Sequence, residues 1–297
     1  MRRIALLLPL ALATCVFADP VVLKGHTRDV NAVACSVDGS LVVSGGDDGA
    51  MVLWDMAQRQ RKSALPGDAV LSVAASSDGN RAAAGERYNK VRLTDAAGGP
   101  PKLLEGHTAG VIAVQFTADG KTLLSVAKDG NIRAWDAASG AGQGAPQRIP
   151  DALDAAAVTT DGKWAAGGAG GFVYLQNLGT KKLAWKAAQP ANCKSVAIAP
   201  DGGLVAAGLG NSTVVLLDVA GKESGRIEGV DANGLAFSAD GTKLAAAGHD
   251  NLVYLIDVAA KKVLQVWKGH ERTVRGVCWL GGAVVSGSAD MTVRLFE

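Results

Sequence analysis

The sequence predicts an all-β fold of seven repeated four-stranded units closed into a ring, and three observations predict it. Two sets of marker residues recur about every 40 positions, each repeat breaks into four runs of strand character, and the chain is rich in glycine and poor in aromatic residues. Among 297 residues there are 38 glycines against six Trp, five Phe and three Tyr, a balance that suits tight turns between short strands. Hydrophobic residues at 48% and charged residues at 20% exclude intrinsic disorder. A formal charge of +2 provides no global field for polyanions, which argues against a general nucleic-acid binder.

In chain order, Arg2 and Arg3 precede an apolar run from Ile4 to Phe17, and Val16-Phe17-Ala18 places small side chains at the two positions a signal peptidase reads. Residues 1–18 resemble a bacterial secretory signal cleaved after Ala18, and the run is shorter than the roughly 20 residues a spanning helix needs. The mature chain is therefore expected in the periplasm or outside the cell. A second reading is lipidation at Cys15, since Leu12-Ala13-Thr14-Cys15 approaches a lipobox. Cleavage removes two arginines and no acid, so the mature chain carries 28 basic and 28 acidic side chains. Cys35, Cys193 and Cys278 remain, an odd number that cannot pair fully in an oxidising compartment.

The first marker is the Asp-Gly dipeptide beginning at Asp38, Asp78, Asp119, Asp161, Asp201 and Asp240, with Gly281-Gly282 in seventh place. Such dipeptides supply the positive dihedrals of hairpin turns. The second is Asp55, Asp95, Asp136, Asn177, Asp218, Asp257 and Glu297. Together they divide residues 19–297 into one domain of seven repeats, approximately 21–57, 58–97, 100–138, 146–179, 181–220, 222–259 and 261–297. Repeat one reads as strands Val21 to Lys24, Val30 to Ser36, Leu41 to Ser44 and Met51 to Asp55, and no stretch sustains a helical apolar period. Four strands cannot bury both faces alone, so neighbouring units must stack, and a closed ring leaves no end uncovered. Ser139 to Pro146 is expected to be a flexible loop.

Gly25-His26, Gly106-His107 and Gly269-His270 open repeats one, three and seven, and Trp54-Asp55 and Trp135-Asp136 close repeats one and three. Ser44 and Asp48, Ser125 and Asp129, and Ser286 and Asp290 stand four residues apart. This pattern resembles the WD-repeat (beta-transducin-like) family of seven-bladed β-propellers, here as a secreted bacterial member. The resemblance implies hydrogen-bonded tetrads of His26, Ser44, Asp48 and Trp54, and of His107, Ser125, Asp129 and Trp135, with His270, Ser286 and Asp290 lacking the indole because Phe296 replaces it. Repeats two, four, five and six carry Thr94, Gln176, Leu217 and Ile256 at the Trp position and are expected to rest on apolar packing alone. The resemblance further implies that the first strand closes the ring against the last. It places partner contacts on the loops before the innermost strand and between the second and third strands. Those loops supply Arg28, Asp29, Asp47, Arg87, Tyr88, Lys128, His249, Arg272 and Arg275, with Arg87 and Tyr88 in an expanded turn, and Arg and Tyr are residue types that often carry interface energy.

No Cys-x-x-Cys, His-x-x-x-His, haem-attachment, nucleophile-elbow or phosphate-loop pattern occurs, so neither a metal nor a cofactor is expected. The cysteines are expected as buried small hydrophobes; a Cys35–Cys278 bridge between adjacent blades is conceivable but disfavoured by the strict geometry required. The expected function is a monomeric, non-catalytic scaffold that presents propeller loops to another protein in the cell envelope. The alternatives are a propeller enzyme with a central-channel site, of hydrolase or quinoprotein type, and an accessory subunit of an envelope redox complex.

Overall fold

A computed structural model of the chain describes residues 19–297; the leader, its cleavage point and Cys15 lie outside the described residues. The described chain contains 28 strands in seven four-stranded antiparallel sheets. After β1 (Val21–Lys24), blade one consists of β2 (Val30–Cys35), β3 (Leu41–Gly46), β4 (Met51–Asp55) and β5 (Gln60–Leu65). Blade two is β6 (Val70–Ala75), β7 (Arg81–Glu86), β8 (Val91–Asp95) and β9 (Lys102–Leu104). Blade three is β10 (Val111–Phe116), β11 (Thr122–Ala127), β12 (Asn131–Asp136) and β13 (Gly142–Arg148). Blade four is β14 (Ala155–Val158), β15 (Trp164–Ala169), β16 (Phe172–Asn177) and β17 (Lys182–Ala188). Blade five is β18 (Cys193–Ile198), β19 (Leu204–Leu209), β20 (Thr213–Asp218) and β21 (Glu223–Glu228). Blade six is β22 (Ala232–Phe237), β23 (Lys243–Gly248), β24 (Val253–Asp257) and β25 (Lys262–Trp267). Blade seven is β26 (Val274–Leu280), β27 (Ala283–Ser288) and β28 (Thr292–Phe296), completed by β1.

That last pairing closes the ring as expected: Val21 lies opposite Leu295 and Lys24 opposite Thr292. The core lies between the blades, where the apolar faces of adjacent sheets meet. Leu41, Val43 and Leu53 of blade one pack on Val70 and Val73 of blade two, and β3 is buried at every position because both its faces are covered. Gly45 is required at this contact, since a Cβ there would stand 2.2 Å from the Val70 Cγ1 atom.

The Asp-Gly turns are built from both members, but only the glycine takes a positive φ, 76° at Gly39 and 70° at Gly241. The aspartate works through its side chain: Asp38 Oδ1 accepts the Ser36 hydroxyl at 2.6 Å and the Ser40 amide at 3.0 Å. Ser76–Asp78 and Ser238–Asp240 repeat the contact at 2.6 Å, and these hydroxyl donors hold both carboxyls down at about 2.

Two expectations fail. Gly142–Arg148 is no loop but the outer strand of blade three, because a register shift between Ile132 and Ala134 absorbs its extra residues. The turn holding Arg87 and Tyr88 is not expanded either: Gly85 pairs with Val91 as Gly45 pairs with Met51.

Candidate functional site

We call upper the face formed by the loops into each innermost strand and between the second and third strands; the remaining turns form the lower face. The tetrads hang beneath the upper face. In blade one, the His26 Nδ1–H donates to Asp48 Oδ2 at 2.9 Å, Ser44 Oγ lies 2.7 Å from His26 Nε2, and the Trp54 indole donates to Ser44 Oγ at 2.8 Å. Burial pushes the imidazole pKa down despite Asp48, so the ring is neutral and every member of the chain is satisfied. Burial pushes the Asp48 carboxyl up, but the amides of Thr27 and Ala50 and the facing imidazole outweigh it and hold it low.

Blade seven keeps the His270 contacts, 2.8 Å to Asp290 and 2.7 Å to Ser286, with Phe296 edge-on to the imidazole at 6.2 Å. Blade three departs from expectation. His107 Nε2 meets Ser125 Oγ at 2.7 Å and Trp135 donates to that oxygen at 2.8 Å, yet His107 Nδ1 has no partner among the described residues. Asn131 stands where blade one has Ala50, and its side-chain amide and the Thr108 hydroxyl occupy Asp129 instead. Burial, with Arg133 adding to it, pushes His107 down to about 4.

Blade five comes nearest to the expected apolar packing, with buried Ser195 donating to the Ala232 carbonyl of blade six at 2.8 Å, and the expectation fails for three others. In blade two, buried Arg92 pairs with buried Glu86 at 2.6 Å and reaches across to the carbonyls of Leu65 at 2.5 Å and Gly49 at 3.2 Å in blade one. Tyr174 donates to Asp151 in blade four, and Tyr254 to Asp250 in blade six. A signal for these exists: the third residue before the second marker is Arg92, Arg133, Tyr174, Tyr254 or Arg294 in five repeats, and Val52 or Val215 in the others.

The candidate partner residues divide into two groups. Arg275 donates to Asp29 Oδ2 at 2.5 Å and to Asn31 Oδ1 at 3.2 Å, and Arg272 lies 3.6 Å from Asp29. Asn31 donates to Asp47 Oδ1 at 2.8 Å, which also accepts Arg87 at 2.9 Å. This network ties blades seven, one and two together across the upper face, and reading residue types alone missed Asn31 as its link. Arg28, Tyr88, Lys128 and His249 form the second group: exposed side chains that make no hydrogen bond or ion pair within the described chain. Tyr88 is 66% exposed.

The innermost strands of all seven blades line a central channel of about 740 Å³, with Asn31, Lys128, Asp154, Lys194, His249 and Arg275 at its upper mouth. Among the described residues no group of three or more His, Cys, Asp or Glu side chains is placed to hold a metal. Near the lower end of the channel, Cys35 of β2 and Cys278 of β26 form a disulfide, with Cα atoms 5.9 Å apart. This corrects the expectation of three buried small hydrophobes: the bridged pair is half-buried, and among the described cysteines Cys193 alone is buried and free. Strand geometry puts the two cysteines opposite each other at the seam that β1 closes from outside.

The WD40 family (WD domain, G-beta repeat) matches residues 19–55, 98–136, 223–257 and 261–297. A small ribosomal subunit protein RACK1 from Medicago sativa is 29% identical over 132 residues, covering 38% of this chain and 41% of that protein. The WD repeat-containing protein SL1-17 of Schistosoma mansoni is 31% identical over 118 residues, 39% of each chain. The nuclear distribution protein PAC1-2 of Uncinocarpus reesii (strain UAMH 1704) is 33% identical over 144 residues, covering 40% of this chain and 31% of that protein. The matches thus span about two-fifths or less of these relatives. Fold and matches together identify the chain as a seven-bladed β-propeller that carries WD40 repeats.

Proposed function

We propose that the chain is a non-catalytic scaffold of the cell envelope that binds another protein through its upper face. The observation that carries this reading is the division of that face. A hydrogen-bonded network holds the loops of blades seven, one and two rigid, while Arg28, Tyr88, Lys128 and His249 stand exposed with no intramolecular partner among the described residues. Loops held in place by a closed ring lose little entropy on binding. The RACK1 relatives are small ribosomal subunit proteins, which supports a role inside an assembly. An envelope location is supported by the leader-like N terminus and by the Cys35–Cys278 bridge, a bond that persists in oxidising compartments.

The test is site-specific photo-crosslinking in the native cell. A photoreactive residue at position 88 on the upper face should yield an adduct that the same residue at position 77 on the lower face does not, and Arg28→Ala with Lys128→Ala should abolish it. The same adducts from both faces would refute the assignment.

A further inference from the structure

The outer part of the lower rim is uneven in charge. Its turns between third and fourth strands read Gly98-Gly99-Pro100-Pro101 in blade two and Ser139-Gly140-Ala141 in blade three, and that of blade one carries Arg59, which is paired with Glu297 at 2.8 Å. In blades four, five and six the same turns carry Lys181-Lys182-Leu183, then Val219 with Lys222, then Lys261-Lys262-Val263-Leu264. All of these lysine and aliphatic side chains are exposed, Val219 by 65% and Leu264 by 54%. The turns are neighbours, since Lys261 donates to the carbonyl of Ser224 in the next blade.

Turn geometry does not demand these lysines. The backbone is left-handed at Lys181 (φ 58°) and Lys261 (φ 57°), where glycine is the natural occupant and where blade five uses Gly221 (φ 77°). The acids nearby are engaged: Asp218 accepts the amides of Ala220 and Lys222, Asp257 accepts that of Ala260, and Glu223 pairs with Arg226 at 2.7 Å. The arc holds five lysines and Arg226 against Asp218, Glu223 and Asp257, a clear positive excess within residues 19–297, whose 28 basic and 28 acidic side chains balance in total.

We propose that this arc docks on an anionic phospholipid bilayer. Cations separated by short aliphatic side chains suit an interface that offers negative headgroups with hydrocarbon just beneath, and three turns on one rim can meet a plane together. Docked this way the propeller would turn its upper face from the lipid. Among the described residues no helix is long and apolar enough to cross a membrane, and the proposed contact uses the rim side chains alone. This inference does not rest on the upper face binding protein.

Vesicle sedimentation tests it, using the chain from Asp19, which holds all 28 strands of the closed ring. The chain should pellet with phosphatidylglycerol–phosphatidylcholine vesicles and not with phosphatidylcholine alone, and added salt should release it. In Lys181→Gln/Lys182→Gln/Lys222→Gln/Lys262→Gln, binding should weaken about fivefold per lysine removed. An equal loss of charge at the upper ends of the blades, in Lys24→Gln/Lys128→Gln/Arg148→Gln/Lys268→Gln, should change it far less. Val219→Ser/Leu264→Ser should weaken binding while keeping its salt dependence, and melting curves establish that each variant is folded. No binding of the parent chain to anionic vesicles, equal binding to neutral ones, or an equal loss in both quadruple variants would overturn the proposal.

Discussion

Replacing Cys35 and Cys278 together by serine removes the covalent link across the ring's seam. The bridge joins residues 243 apart. A loop of that size restricts the unfolded chain by about 18 cal/mol/K, or about 5 kcal/mol at room temperature. Residues 19–297 should unfold with an entropy of about 0.6 kcal/mol/K, so the loss corresponds to a melting temperature lower by about 8 °C. Hydrogen bonds of β1 to β28 and of Arg275 to Asp29 still close the seam in the variant, so it should fold and the comparison is between two folded rings. Differential scanning calorimetry without reductant gives the shift, and thiol titration gives the chemistry. The unfolded wild-type chain from Asp19 should show one free thiol, that of Cys193, which burial pushes up to about 12 and so silences in the native state. Three titratable thiols, or melting temperatures within about 2 °C of each other, would refute the reasoning.

Three further expectations follow from buried polar groups and turn strain. Arg92→Leu leaves Glu86 buried without its partner and should cost about 3–5 kcal/mol in urea denaturation, whereas Arg92→Leu with Glu86→Leu should recover most of it; equal losses would deny that the pair acts as a unit. His107 has a folded-state pKa near 4, depressed from 6.5, so its contribution is complete above pH 6.5 and is lost as pH falls toward 4. The wild type should thus lose about 2 kcal/mol more than His107→Gln between pH 7 and pH 5, and parallel pH–stability curves would count against a buried neutral ring. Met291 holds a φ of 68° in the turn where blade one uses Gly49, so Met291→Asn should raise stability by about 0.5–1 kcal/mol; a lower melting temperature would mean that its side chain packs usefully.

Much of the site was legible in the linear order. His26, Ser44, Asp48 and Trp54 make the contacts that the WD-repeat resemblance implies, and strands of fixed rise and turns of fixed length bring them together in blade one. The failures share a cause. His107 loses Asp129 to Asn131 and Thr108, two residues whose hydrogen-bonding capacity is evident but whose reach is not. Arg275, Arg272 and Arg87 read as free interface cations, yet Asp29, Asn31 and Asp47 compete for them from adjacent blades. Residue type says what a group can bind; distance decides what it does bind.

Sequence by itself determined the number of repeats and the four strands in each, since hydrophobic period, turn chemistry and repeat length are local properties that any stacked solution must satisfy; the closing of the first strand on the last was implied by the family resemblance. Tertiary structure alone decided which groups meet across blades: the Cys35–Cys278 bridge, the bond from Arg92 to the Gly49 carbonyl, the network at Asp29, and the gathering of Lys181, Lys222 and Lys261 on one rim. Those residues lie some 40 positions apart or at opposite ends of the chain. The small rotation from each blade to the next places them side by side, and no local pattern records it.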